Sequence, residues 1–127
     1  MRILLADDSG LILERMQEML KKINHVEITG SYTNGIDTLN ALRTLSPDLA
    51  IVDLKMPGLN GIQVLNEIRN ENKILKFMIL TFCSADYYQK LAIQAGADYY
   101  FSKVDDFEKV SMVVEEMLAN EKKYAIN

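Results

Sequence analysis

Four apolar runs in this sequence lead into residues that can do chemistry. Ile3-Leu4-Leu5-Ala6 stops at Asp7-Asp8, Ala50-Ile51-Val52 at Asp53, and Phe77-Met78-Ile79-Leu80 at Thr81, while Tyr99-Tyr100-Phe101 leads through Ser102 to Lys103. Two or three carboxylates brought together repel, which raises at least one pKa. A hard divalent cation with oxygen ligands relieves that repulsion, and few protein ligands with retained water is the preference of Mg²⁺. A lysine adds a flexible point charge suited to an anion, and a threonine adds a hydroxyl donor. Cation site, carboxylate nucleophile, ammonium and hydroxyl together describe phosphoryl transfer to an aspartate. Taken singly, each residue has a more ordinary role. Asp8-Ser9 can cap a helix, Thr81 or Ser84 another, and a lone lysine is usually solvated. Only convergence separates the two accounts.

Convergence depends on the elements that carry these residues. Short, partly β-branched apolar runs bounded by polar or turn residues read as strands buried on both faces. After the first, Ser9 can cap a helix on which Leu13, Met16, Met19, Leu20 and Ile23 recur at helical spacing. Val26, Ile28, Gly30 and Tyr32 alternate with polar residues, a weaker pattern that suits an edge strand. Asn34-Gly35 opens a second helix with Ile36, Leu39, Leu42 and Leu45 on one face, stopped before Pro47. Past Asp53, Pro57-Gly58 and Asn60-Gly61 close a loop before a third helix with Val64, Leu65 and Ile68. A fourth helix buries Tyr88, Leu91, Ala92 and Ala95 and ends at Gly96. Phe107, Val110, Val113, Val114, Met117 and Leu118 form the fifth.

Strict alternation of strand and helix, five of each, predicts an α/β fold with a doubly wound parallel sheet. The edge-like second strand favours the order 2-1-3-4-5. The first and third strands are then neighbours at a topological switch point, where a ligand crevice is expected. All C-terminal strand ends share one edge, with neighbours ~4.8 Å apart. Asp7, Asp8, Asp53, Thr81 and Lys103 therefore meet.

The totals fit one domain of 127 residues, read as residues 1–120 with a polar tail at 121–127. A formal net charge of -4 and no basic patch argue against direct nucleic-acid binding. Cys83 and His25 are the sole cysteine and histidine, which excludes a disulfide within one chain and a Cys/His zinc site. Cys83 reads as a small core residue rather than a reactive thiol. No apolar run approaches the ~20 residues of a membrane span, and the N-terminal run is too short for a signal peptide. A soluble cytoplasmic domain is expected.

In Leu4-Leu5-Ala6-Asp7-Asp8, Asp53 with Met56-Pro57-Gly58 and Asn60-Gly61, Leu80-Thr81, and Ala95-Gly96-Ala97-Asp98-Tyr99-Tyr100 leading to Lys103, the sequence resembles a receiver domain of the two-component response regulators. The resemblance covers nearly the whole chain. It implies a flavodoxin-like fold and phosphorylation of Asp53 by a partner histidine kinase or histidine phosphotransfer protein. It implies a regulatory domain rather than an enzyme, catalysing at most its own phosphotransfer and dephosphorylation. By the same resemblance Asp8, Asp53 and the main-chain carbonyl of Lys55 hold Mg²⁺, and Asp7 acts largely through water. Thr81 would hydrogen-bond the phosphoryl group and Lys103 pair with it. Tyr100 would turn inward when Thr81 moves, altering an output face of fourth helix, fifth strand and fifth helix. That face would contact a downstream target or a second copy. The short stretch after the fifth helix favours a free-standing regulator.

The sequence departs from the family at Val104, where members usually carry a proline in a cis bond after the lysine. A cis bond before a non-proline residue costs ~3 kcal/mol, so a trans bond and another loop path are expected. Lys55 and Cys83 stand at positions that in the family tune hydrolysis of the acyl phosphate. Three rival readings remain. A phosphohydrolase using Asp53 would want a second acid two residues on, where Lys55 stands. A flavin or nucleotide domain would want a Gly-rich loop after the first strand, where Asp7-Asp8-Ser9-Gly10 would repel phosphate. The third is an adaptor of the same fold working unphosphorylated, against which the intact acidic set argues.

Overall fold

In the computed structural model these patterns become β1 (Arg2–Ala6), α1 (Gly10–Lys21), β2 (Glu27–Tyr32), α2 (Gly35–Leu45), β3 (Leu49–Val52), α3 (Gly61–Glu71), β4 (Lys76–Thr81), α4 (Asp86–Gln94), β5 (Tyr99–Ser102) and α5 (Lys109–Tyr124). The structure describes residues 1–83 and 85–124, with 122–124 by their helical backbone alone. The strands form one sheet in the order β2-β1-β3-β4-β5, every neighbouring pair parallel. The expected doubly wound order is the one found.

The central strands are apolar throughout because both faces are covered. Leu4, Ala6, Ala50, Val52, Phe77 and Ile79 point into a core closed by Leu39 and Leu42 of α2, Val64, Leu65 and Ile68 of α3, and Ala92 of α4. The alternate residues Ile3, Leu5, Leu49, Ile51, Met78 and Leu80 point the other way. There they meet Ile12, Leu13, Met16 and Leu20 of α1 and Val110, Val113 and Val114 of α5. Side chains alternate across a strand, so one apolar run feeds two cores.

Helix starts follow the polar residues before them. Ser9 Oγ accepts the Ile12 N–H at 3.3 Å, and Asn34 Oδ1 accepts that of Asp37 at 2.9 Å. Asn60 and Gln63 bond each other's backbone N–H groups reciprocally, a capping box for α3. The α2 helix ends on Ser46 in the left-handed region, φ 46°, directly before Pro47.

Several helix faces differ from expectation. Ile36 is exposed: it lies against Gly58 in the β3–α3 loop, and the buried positions of α2 are Gly35, Thr38, Leu39, Ala41 and Leu42. Tyr88 is also exposed, with its ring edge-on to Tyr87 at 5.3 Å, and α4 fully buries only Ala92. This helix covers the sheet near its β5 edge, where little core remains to receive a second row of side chains. Ala85 precedes α4 without a side-chain cap, and the candidate cap Ser84 lies outside the described residues. Ile23 falls just past α1, and Phe107 is buried ahead of α5 rather than in it. The expected tail from Glu121 is helical to Tyr124, since Glu and Lys are good helix formers; 125–127 lie outside the described residues. Among the described residues there is no cis peptide bond, so Lys103–Val104 is trans as the sequence predicts. No described helix is long and apolar enough to cross a membrane.

Candidate functional site

Strand register builds the site. Ala6 pairs with Val52 and Thr81 with Ser102, so the next residues along β1, β3 and β5 emerge side by side at one edge. Backbone bonds fix them there: Asp7 N–H to the Tyr32 carbonyl at 2.9 Å, Asp53 N–H to Ala6 at 2.8 Å, and Lys103 N–H to Thr81 at 2.9 Å. Behind Asp53 the chain folds back so tightly that a Cβ on Gly61 would run into the Asp53 carbonyl group. Glycine is required there by close approach.

Lys103 is 4% exposed and its Nζ lies 2.5 Å from Asp7 Oδ2 and 3.2 Å from Asp53 Oδ2. The expectation of a flexible point charge gives way to a buried bridge between two strands. Asp7 Oδ1 accepts the Ser9 N–H at 2.9 Å, while Oδ2 is met by that ammonium. Burial, and then the charge of Asp7, push the Asp53 carboxyl up to about 6, against the opposing pull of Lys103. One ammonium does not neutralise this acidic site.

Carboxylate oxygens of Asp7, Asp8 and Asp53 lie within 4.8 Å of one another, with Asp8 exposed. Asp8 and Asp53 border a cleft of about 270 Å³ whose walls include Lys55, Thr81, Phe82, Cys83 and Lys103. Thr81 Oγ1 accepts the Cys83 N–H at 3.0 Å, and the Tyr100 hydroxyl donates to the Cys83 carbonyl at 3.1 Å. One residue, Cys83, thus links the two expected switch residues through its N–H and its carbonyl. Tyr100 is half-buried against the α2–α4 side of the core, and Cys83 packs on the same cluster.

The model for the response regulator receiver domain matches residues 3–115. This chain belongs to that family. It is 27% identical over 121 residues to the response regulator GacA of Pseudomonas aeruginosa, covering 95% of this chain and 56% of that protein. It is 30% identical over 115 residues to the DNA-binding transcriptional activator EvgA of Escherichia coli, covering 91% and 56%. The chain therefore spans about half the length of these curated relatives. A DNA-binding response regulator of the LuxR family from Staphylococcus aureus superposes with a TM-score of 0.84 at 26% identity, covering 91% of this chain and 96% of that one. The response regulator domain of Thermotoga maritima CheB shares the fold at a TM-score of 0.81 and 20% identity, over 99% and 98% of the two chains. A receiver of two-component signalling is a regulatory domain switched by phosphorylation.

The residues expected to form the phosphoacceptor site lie in or beside the receiver's cleft. Asp7, Asp8, Asp53, Thr81 and Lys103 converge, Lys55 lines the wall, and Tyr100 reaches the site through Cys83. A hard cation fits the donor set. Three carboxylates offer only oxygen, a single ammonium faces them, and exposed Asp8 leaves room for water. Sequence reasoning missed three contributors. The Phe82 ring stands 4.9 Å from Lys103 Nζ, and Ser102 and Asp106 organise the turn that follows the lysine. An aromatic beside Thr81 and two small polar residues spaced across a turn were the available signals.

Proposed function

We propose that this receiver works in the cytoplasm as a phosphorylation-dependent switch. It takes a phosphoryl group onto Asp53 from the phosphohistidine of a histidine kinase or histidine phosphotransfer protein, with Mg²⁺ as cofactor. The observation that carries the reading is Asp53 on the cleft wall, flanked by Asp7 and Asp8 and paired with a buried Lys103. An Asp53 oxygen attacks phosphorus, the P–N bond breaks, and the leaving nitrogen keeps its electron pair and takes a proton. Asp8, Asp53 and the Lys55 carbonyl, with Asp7 nearby, would hold Mg²⁺, which would supply neutralising charge to the phosphoryl oxygens. Lys103 pairs with the phosphoryl group. Thr81 accepts from Cys83 but keeps its own hydroxyl proton for a phosphoryl oxygen. A shift of Thr81 carries the Cys83 backbone with it and hence Tyr100, so the surface of α4, β5 and α5 changes. That face binds a downstream target or a second copy.

Intact mass after incubation with phosphoramidate and Mg²⁺ tests this. One phosphoryl group is expected on the wild type, with none in chelator and none on Asp53→Asn. A folded wild type that gains nothing would shift the reading to an adaptor working unphosphorylated.

A further inference from the structure

Val104 leaves the turn after Lys103 without the ring that fixes φ in a proline, yet Lys103 is buried and bridges Asp7 and Asp53. Something else must fix the backbone on which it stands. The turn supplies three hydrogen bonds from side-chain oxygens. Ser102 Oγ accepts the N–H of Val104 at 3.1 Å and that of Asp105 at 3.3 Å. Asp106 Oδ2 accepts the N–H of Ser102 itself at 2.9 Å. The Asp106 N–H returns to the Ser102 carbonyl at 2.9 Å, closing the turn on both sides.

We infer that Ser102 and Asp106 are positioning residues that clamp the β5–α5 turn and so hold the Lys103 ammonium between Asp7 and Asp53. The inference rests on the proposed phosphoacceptor reading for its consequence, though not for its geometry.

The bonds on either side of Lys103 fix its backbone. Its own N–H is taken by Thr81 in the β4–β5 ladder, which fixes the residue's start. Its carbonyl side leads into the Val104 N–H, which is free to bond Ser102 because residue 104 is not proline. With both flanking peptide planes anchored, the direction of the Lys103 Cα–Cβ bond is set before the long side chain is ordered. That matters because a lysine stem carries about 2 kcal/mol of rotamer entropy. Asp106 is in turn held by Lys109 at 2.9 Å, and this contact, then the Ser102 N–H, keeps its carboxyl below the ordinary range. The clamp therefore stays ionised at neutral pH. Serine and aspartate are suited to this because their short side chains reach backbone N–H groups two to four residues away.

The test uses the full chain and three variants, Ser102→Ala, Ser102→Thr and Asp106→Ala. The first readout is the ¹H–¹⁵N signal of the Lys103 ammonium, which burial and ion pairing protect from exchange with water, assigned by its loss in Lys103→Met. The second is the rate of phosphorylation by phosphoramidate with Mg²⁺, and the third is urea stability. Ser102→Ala should broaden or abolish the Lys103 signal and slow phosphorylation by roughly tenfold or more, the scale of a modest misplacement of a reacting partner. Ser102→Thr, which keeps a hydroxyl in place, should restore both. Should Ser102→Ala not fold, Asp106→Ala carries the test, with a weakened Lys103 signal expected. A Ser102→Ala protein that keeps the Lys103 signal and the wild-type rate while merely losing stability overturns the inference. So does an unchanged signal in Asp106→Ala. If even the wild type is not phosphorylated, the functional reading fails while the ammonium signal still decides the clamp.

Discussion

At the scale of single residues, Asp53 is the point where two requirements conflict. A phosphoacceptor must be ionised and nucleophilic, yet its strand end is buried beside Asp7, so its carboxyl rises from 3.8 to about 6. A carboxyl raised in the folded state contributes stability that is fully present below about pH 4 and lost as pH rises through about 6. The gap corresponds to on the order of 3 kcal/mol. In chelator, Asp53→Asn should therefore match the wild type near pH 4 and exceed its stability above pH 6, by up to about 3 kcal/mol. Urea titrations of both proteins from pH 4 to 8 measure this, and a difference independent of pH would sink it. Mg²⁺ should narrow the gap by stabilising the wild type alone. The acidic set itself was legible in the sequence because strand ends in a parallel sheet share an edge, whatever the loops do. The Phe82 ring and the Ser102–Asp106 clamp were not, since both depend on the path of loops that periodicity does not describe.

At the scale of elements, the site depends on how closely helices can approach the β3–α3 loop. Gly35 at the start of α2 has the Leu59 carbonyl where a Cβ would sit, and Gly61 at the start of α3 has that of Asp53. Both obstacles are backbone and cannot swing aside. Gly61→Ala should cost about 3 kcal/mol, the scale of an overpacked core, and displace Asp53. Gly10 offers the contrast at the start of α1, with open space around it, so Gly10→Ala should stabilise by roughly 0.5 kcal/mol. Thermal melts of the two variants against the wild type check the opposite signs; two losses of equal size would refute the argument. Element order and strand burial were readable from runs such as Ala50-Ile51-Val52, which can only be satisfied by cover on both faces. Helix faces were less so. Ile36 and Tyr88 match a helical stripe in sequence, but whether a stripe is buried depends on how far the sheet extends beneath it, and near the sheet's margins it does not extend far enough.

At the scale of the whole molecule, the question is how an event at Asp53 reaches the surface of α4. The path is short: Thr81 hydroxyl to Cys83 N–H, across the Cys83 Cα, and Cys83 carbonyl to the Tyr100 hydroxyl on β5. The two bonds sit on a single residue, so a displacement of the Cys83 N–H reaches its carbonyl across one Cα only, which makes Tyr100 the reporter of Thr81's position. The α4 helix is the element most free to respond, since it lacks a side-chain N-cap and fully buries only Ala92. Low local burial means a low cost of local rearrangement. Removing the Tyr100 hydroxyl by Tyr100→Phe should cost about 1 kcal/mol in stability. Its larger effect should be on coupling. At equal phosphoryl occupancy, the change in amide hydrogen exchange over the first turns of α4 should be at least halved relative to wild type, while the change at the β3–α3 loop persists. If α4 responds as fully in Tyr100→Phe as in the wild type, the signal does not pass through the Cys83–Tyr100 bond, and direct contact between the β4–α4 loop and the phosphoryl group must carry it instead.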